Sequence, residues 1–133
     1  MKKLVLDTHI LLWTIGNSSK LPTRVVQHIT NKENRVFVSA ISLWEIALKL
    51  SIGKLELGFP PNDILTYCGK MGVEFIPLEP LDALGFLKLP IKQEHKDPFD
   101  RMLIYQCISG NYTLISKDDK MRYYKDDGLE CIW

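Results

Sequence analysis

Four carboxylates, at Asp7, Glu45, Asp100 and Asp118, are the residues of this chain best suited to chemistry. They are far apart in sequence, yet each stands where a strand has just ended or a helix is just beginning. Asp7 directly follows the apolar run Leu4-Val5-Leu6. Glu45 falls in the first turns of the helix expected after a second strand. Asp100 opens a long helix with Asp97 just before it, and Asp118 comes two residues after a strand ending at Ser116. Ligands of an open α/β sheet bind beyond the carboxyl ends of its strands, so this placement gathers the acids at one edge. Two carboxylates about 4 Å apart repel by around 4 kcal/mol at an effective dielectric near 20. Several such pairs consume much of a domain's usual stability of about 5–15 kcal/mol. Protons or cations must neutralise a cluster of this kind. All-oxygen sites suit Mg2+ or Mn2+, and such an ion offers a phosphodiester an activated water, a clamp on a nonbridging oxygen and a stabilised leaving group.

The elements that must carry these acids alternate in type. Strands are expected at 4–6, 35–39, 74–77, 113–116 and 129–133, from short β-branched or apolar runs. Helices are expected at 10–15, 22–31, 42–51, 64–70, 81–87, 99–109 and 119–124, the sixth stopped by Gly110-Asn111. That alternation implies one α/β domain over residues 1–133, a central parallel sheet with helices on both faces.

Each acid also has a plain structural reading. Ser42-Leu43-Trp44-Glu45 has the form of a capping box, with Ser42 as N-cap and Glu45 reaching back. Asp97-Pro98 reads as an N-cap with proline at the first helical position, and Asp118 as a cap of the short helix after it. Asp7 is the exception, since no capping role is evident for it. Thr8 and Ser116 carry hydroxyls that either orient a carboxylate or water, or bond their own backbone. Lys92, Lys96, Arg101, Lys117, Lys120, Arg122 and Lys125 either form a phosphate-binding rim or are solvated surface charges. Neither His9 nor His95 is needed as a general base, since a metal-bound hydroxide already supplies the nucleophile. Trp13 and Trp44 are expected in the core or an interface, with base stacking the lesser reading.

The balance of 17 basic and 16 acidic residues, net +1, excludes broad electrostatic binding to a duplex. A nucleic acid would have to meet a local patch, or metal ions held by the acids. Cys68, Cys107 and Cys131 are odd in number and form no zinc spacing, so they read as reduced and mostly buried. No stretch approaches the roughly 18 apolar residues of a membrane span, and Asp7 and His9 interrupt the apolar N-terminus. A soluble, cytoplasmic protein is expected. A phosphoacceptor receiver domain would need paired acids after the first strand, and a haloacid-dehalogenase-type phosphatase would need Asp-x-Asp. Position 9 is His, which disfavours both.

Four blocks together carry a resemblance. Leu6-Asp7-Thr8-His9-Ile10-Leu11-Leu12-Trp13, Ser39-Ala40-Ile41-Ser42-Leu43-Trp44-Glu45-Ile46, His95-Lys96-Asp97-Pro98-Phe99-Asp100-Arg101-Met102 and Leu114-Ile115-Ser116-Lys117-Asp118 resemble the PIN-domain toxins of bacterial VapBC-type toxin–antitoxin pairs. The resemblance implies a PIN-like fold and a Mg2+- or Mn2+-dependent endoribonuclease that leaves a 5′-phosphate and a 3′-hydroxyl. By matching position, Asp7, Glu45 and Asp100 correspond to the family's acidic triad and Asp118 to its frequent fourth acid, all four as metal ligands. Asp97 belongs to a subgroup signature, as a cap or outer-shell residue rather than a ligand. His95, Lys96, Arg101 and Lys117 are the candidate RNA contacts. A homodimer and a cognate antitoxin are the partners implied. A non-catalytic PIN-fold module and a nuclease acting on DNA remain the alternatives.

Overall fold

The computed structural model describes all residues, Met1 to Trp133. Five strands form one sheet: β1 (Lys3–Leu6), β2 (Arg35–Ser39), β3 (Glu74–Ile76), β4 (Thr113–Ile115) and β5 (Glu130–Ile132). Six α-helices connect them: α1 (Thr8–Gly16), α2 (Thr23–Thr30), α3 (Ala40–Ser51), α4 (Asp63–Met71), α5 (Pro80–Gly85) and α6 (Pro98–Gly110). The strand order is β3-β2-β1-β4-β5, and every pairing is parallel. The winding therefore runs outward from β1 in one direction through β2 and β3, and resumes on its other side with β4 and β5. The gap beyond β1 and β4 is the switch point at which such sheets accept ligands.

Period-two alternation in β1 divides the interior. Leu4 and Leu6 pack with Val36, Val38 and Ile115 against Ile10, Leu11, Val25, Ile46, Ile64 and Cys68, which come from α1 to α4. Val5 faces the other way, with Phe37 and Leu114, onto Leu103, Ile104 and Cys107 of α6 and Met121 and Tyr124 beyond β4. The sheet is thus covered on both faces, the α/β architecture anticipated from the sequence. Gly85 lets α5 lie directly on α6, because a Cβ there would sit 2.1 Å from the Tyr105 hydroxyl.

Several boundaries differ from expectation, each for a local reason. Helix α1 starts at Thr8 rather than residue 10, with Asp7 as its N-cap. Helix α3 starts at Ala40, because the Ser39 side chain accepts a hydrogen bond from the Ile41 amide. The expected Ser42–Glu45 capping box does not form. Ser42 is fully buried with no hydrogen-bond partner, and Glu45 is freed from the helix end. Pro22 is the residue before α2, not its first turn. The segment Asp119–Asp127 is a nine-residue 3-10 helix, longer and tighter than the short α-helix expected. Cys68 and Cys107 are buried as anticipated, but Cys131 is exposed.

Ser39 does more than cap. Its hydroxyl also donates to Gln106 Oε1, and Gln106 in turn donates to the Pro77 carbonyl and to Asp82 Oδ2. This buried chain ties the start of α3 to α6 and to α5. Ser39→Ala removes a cap worth about 1 kcal/mol and strands a buried acceptor, a further cost of about 1–3 kcal/mol. We expect its urea midpoint to fall by an amount equivalent to about 2–3 kcal/mol with an unchanged m-value, as measured by equilibrium unfolding.

Candidate active site

The register between β1 and β4 builds the centre of the site. Leu6 is opposite Ile115, and the Asp7 amide donates to the Ile115 carbonyl at 3.0 Å, so Asp7 emerges beside Ser116. One oxygen of Asp7 accepts from the Thr8 amide at 2.8 Å and the other from the Ser116 hydroxyl at 2.6 Å. Asp7 is therefore both a helix cap and a buried carboxylate. The Ser116 oxygen also accepts from the Asp118 amide at 3.1 Å. Asp118 itself caps the following 3-10 helix through the Lys120 amide.

Glu45 arrives from α3. Its Oε1 accepts from the Thr8 hydroxyl at 2.6 Å, and its Oε2 meets the Lys49 ammonium at 2.7 Å, one helical turn on. Of the two readings open for Thr8 and Ser116, the structure shows each hydroxyl bonded to a carboxylate. Asp97 caps α6 as expected, accepting from the Asp100 amide at 3.0 Å. Asp100 Oδ2 lies 3.2 Å from His95 Nε2.

These elements surround one cavity of about 320 Å3, whose walls include Asp7, Glu45, Asp97, Asp100 and Asp118. Electrostatics reflect the crowding. Burial, then the charges of Asp97, Asp7, Glu45 and Asp118, push the Asp100 carboxyl up to about 8. Burial also raises Asp7, against the opposing pull of the Ser116 hydrogen bond, His9 and the Thr8 amide. The Lys49 ammonium is raised by its bond to Glu45. The acids share the cavity, but no three of them converge into a set that could by itself enclose a metal ion.

Two expected RNA contacts are corrected. His95 is buried between Asp100 and Tyr124, and Arg101 is buried with its guanidinium donating to the Leu89 carbonyl at 2.8 Å. A guanidinium buried and turned inward in this way does not face a phosphate at the surface. Lys96 and Lys117 remain exposed. Lys92 is paired with Asp127 at 3.0 Å, while Arg122 and Lys125 line a separate cleft with Lys2. The basic residues thus do not form a single rim. His9 lies on the cavity wall, its Nε2 accepting from the Lys117 amide and its Nδ1 3.6 Å from Asp7. Trp13 is half-buried against His9 and Trp133, whereas Trp44 is 60% exposed, edge-on to Phe99. Sequence reasoning missed Lys49 and Tyr124. The first carried a usable signal, a Glu-to-Lys spacing of four on one helix; the second carried none.

The PIN domain family model matches residues 4–126. Ribonuclease VapC22 of Mycobacterium tuberculosis is 24% identical over 135 residues, covering all of both chains. Among solved structures, VapBC2 from Rickettsia felis, bound to a promoter DNA fragment, aligns with a TM-score of 0.69 at 19% identity over 98% of this chain and 97% of that one. VapBC-1 from nontypeable Haemophilus influenzae gives 0.67 at 18% identity, over 98% and 96%. DNA-bound VapBC from Salmonella typhimurium gives 0.64 at 18% identity, over 99% and 98%. The fold is the one these structures share, and with the family model running from β1 to the end of the last 3-10 helix, the chain belongs to the PIN-domain family.

Proposed function

We propose that this chain is the toxin of a type II toxin–antitoxin pair, a Mg2+- or Mn2+-dependent endoribonuclease. The observation that carries the reading is Asp100, set in a buried cavity at the sheet's switch point within the field of four other carboxylates. Repulsion of that size is tolerated where a cation is to enter. The donor set fits a hard divalent ion, since it is all oxygen and supplies no thiolate. Mg2+ takes one or two carboxylates and keeps waters and phosphate oxygens for its other positions.

Asp7 and Asp100 are the principal ligands in this reading, with Glu45 and Asp118 contributing directly or through water. Such an ion supplies charge neutralisation at a phosphate and makes water acidic enough to attack near neutral pH. The chain's own part is positioning. Ser116 and Thr8 donate to Asp7 and Glu45 and so fix the orientation of both carboxylates, Glu45 being also paired with Lys49. Asp97 holds the first turn of α6, and with it the backbone of Asp100. Lys49, with Lys54 on the same wall, offers ammonium groups to an incoming phosphate, and exposed Lys96 and Lys117 extend that rim. Cleavage leaves a 5′-phosphate and a 3′-hydroxyl.

An antitoxin partner is supported by the structural neighbours, which are VapBC complexes. A homodimer is supported by exposed apolar groups on α3 and α5, among them Trp44, Leu48, Leu81 and Leu84. No helix is long and apolar enough to cross a membrane; we place the protein in the cytoplasm, where the three free thiols stay reduced.

Total RNA from cells expressing the wild type should show discrete new 5′-phosphate ends that are absent with Asp7→Asn, which keeps the side-chain shape but not its charge. In purified form the variant should lose more than roughly 100-fold in cleavage rate, beyond the 10–100-fold typical of losing an outer-shell partner. Matching profiles from two folded proteins would move the non-catalytic module to the front. Cutting of single-stranded DNA with RNA spared would favour the DNA nuclease.

Metal and pH should act together on stability. The Asp100 carboxyl rises from an ordinary 3.8 to about 8 on folding, so between those values the folded state holds the extra proton. Stability of the metal-free protein from this group is complete below about pH 4 and is lost as pH rises toward 8. Thermal melts should show Mg2+ raising Tm by several degrees at pH 8 and by little at pH 5. Asp100→Asn should raise the metal-free Tm at pH 8 and abolish the Mg2+ effect.

A further inference from the structure

The loop from Leu89 to His95, which leads into α6, is built under strain. Gln93 and Glu94 adopt successive left-handed conformations, with φ of 48° and 57°. Neither is glycine, and residues with a side chain hold this conformation only where their surroundings impose it. Those surroundings are explicit. Arg101 donates from α6 to the Leu89 carbonyl, Lys92 pairs with Asp127, and the His95 amide closes the turn onto the Lys92 carbonyl at 2.7 Å.

The product of this bracing is one buried imidazole. His95 is 4% exposed; its Nδ1 is 2.9 Å from the Tyr124 hydroxyl and its Nε2 3.2 Å from Asp100 Oδ2. Tyr124 is fully buried, and His95 is its hydrogen-bond partner. A buried hydroxyl needs an acceptor, and a neutral imidazole has only one nitrogen that can serve. If the Tyr124 O–H donates to Nδ1, the ring proton is forced onto Nε2, aimed at Asp100. That carboxylate's Oδ2 is then tied, while its Oδ1 has no protein donor.

We propose that His95 is a positioning residue for Asp100: the Tyr124 hydroxyl holds the imidazole as its Nε2–H tautomer, and that N–H clamps Oδ2 so that Oδ1 is presented to a divalent cation. The role rests on the metal-dependent reading given above. It completes a pattern in which Ser116 serves Asp7, Thr8 serves Glu45 and His95 serves Asp100, each a neutral group bonded to one oxygen of an acid. It also accounts for the strained loop, which has no other buried side chain to deliver between Gln93 and His95.

Two measurements on the intact chain test it. Mn2+ binding is followed by electron paramagnetic resonance for the wild type, Asp100→Asn, His95→Leu, His95→Gln and Tyr124→Phe. Histidine tautomers are read in the wild type by 15N NMR at pH 9, where Asp100 is a carboxylate and can only accept. His95→Leu should weaken Mn2+ binding 10–100-fold, the usual effect of an outer-shell loss. His95→Gln, whose amide can donate from the position of Nε2, should recover most of it, and Tyr124→Phe should weaken binding a few-fold. NMR should find the proton on Nε2. Wild-type affinity in His95→Leu, with binding lost in Asp100→Asn, overturns the positioning role and leaves the metal site standing. A wild type that binds no better than Asp100→Asn overturns both. Should His95→Leu not fold, the tautomer decides alone: a proton on Nδ1 refutes the clamp whatever the metal does.

Discussion

The crowding of buried carboxylates beyond β1 and β4 is the constraint to which the rest of this molecule answers. Asp7 and Glu45 are almost wholly withdrawn from water, and Asp100 lies in the field of both. An arrangement of that kind opposes folding, and the chain does not relieve it by pairing each acid with a cation. Lys49 reaches Glu45, but Asp7 and Asp100 are held by a hydroxyl and an imidazole. Neutral donors satisfy the lone pairs of a buried carboxylate while leaving its charge available. The unspent charge is what a divalent ion and a phosphodiester would use.

Backbone geometry makes the gathering possible. In a parallel sheet every strand delivers its chain to the same edge, and each helix that follows must be started there. Asp7, Ser39, Asp97 and Asp118 all bond helix-start amides. Capping and site-building are therefore not alternatives here. Asp7 gives one oxygen to the amide of Thr8 and the other to Ser116, so the same carboxylate ends a strand, begins a helix and faces the cavity. The helix N-termini bring partial positive charge to the same edge, which eases the acids' repulsion.

Much of this was legible in the sequence, and the parts that were not share a cause. The strands were visible because Leu4-Val5-Leu6, Val36-Phe37-Val38 and Thr113-Leu114-Ile115 are apolar runs with clear stops, and their alternation with helices implies the parallel sheet. The acids at strand exits could be located from the same boundaries. The sequence points to Ser42 as the cap of α3 because it stands three residues before a glutamate; the cap is Ser39, whose hydroxyl also bonds Gln106, a contact that the pattern does not reveal. His95 and Arg101 were misplaced outward because polar side chains are seldom buried, and their burial depends on a loop whose left-handed residues, Gln93 and Glu94, bear no glycine signal. Tyr124 was invisible for a similar reason, lying on a 3-10 helix whose register the sequence pattern does not reveal. The relative approach of the carboxylates is also beyond sequence, since it follows from side-chain directions rather than positions.

The placement of β4 between β1 and β5 has a consequence for how the protein is made. The hydroxyl that holds Asp7 belongs to Ser116, 109 residues further along the chain, and the backbone amide of Asp7 bonds Ile115. Chains fold from the N-terminus as they leave the ribosome, and this one cannot close the acidic cavity until β4 slides in beside β1. Until then β1 has β2 alone, and the acids of positions 7 and 45 stand without those of 100 and 118. A chain made only as far as β3 therefore has no closed cavity, and the site comes into being only with the last two strands.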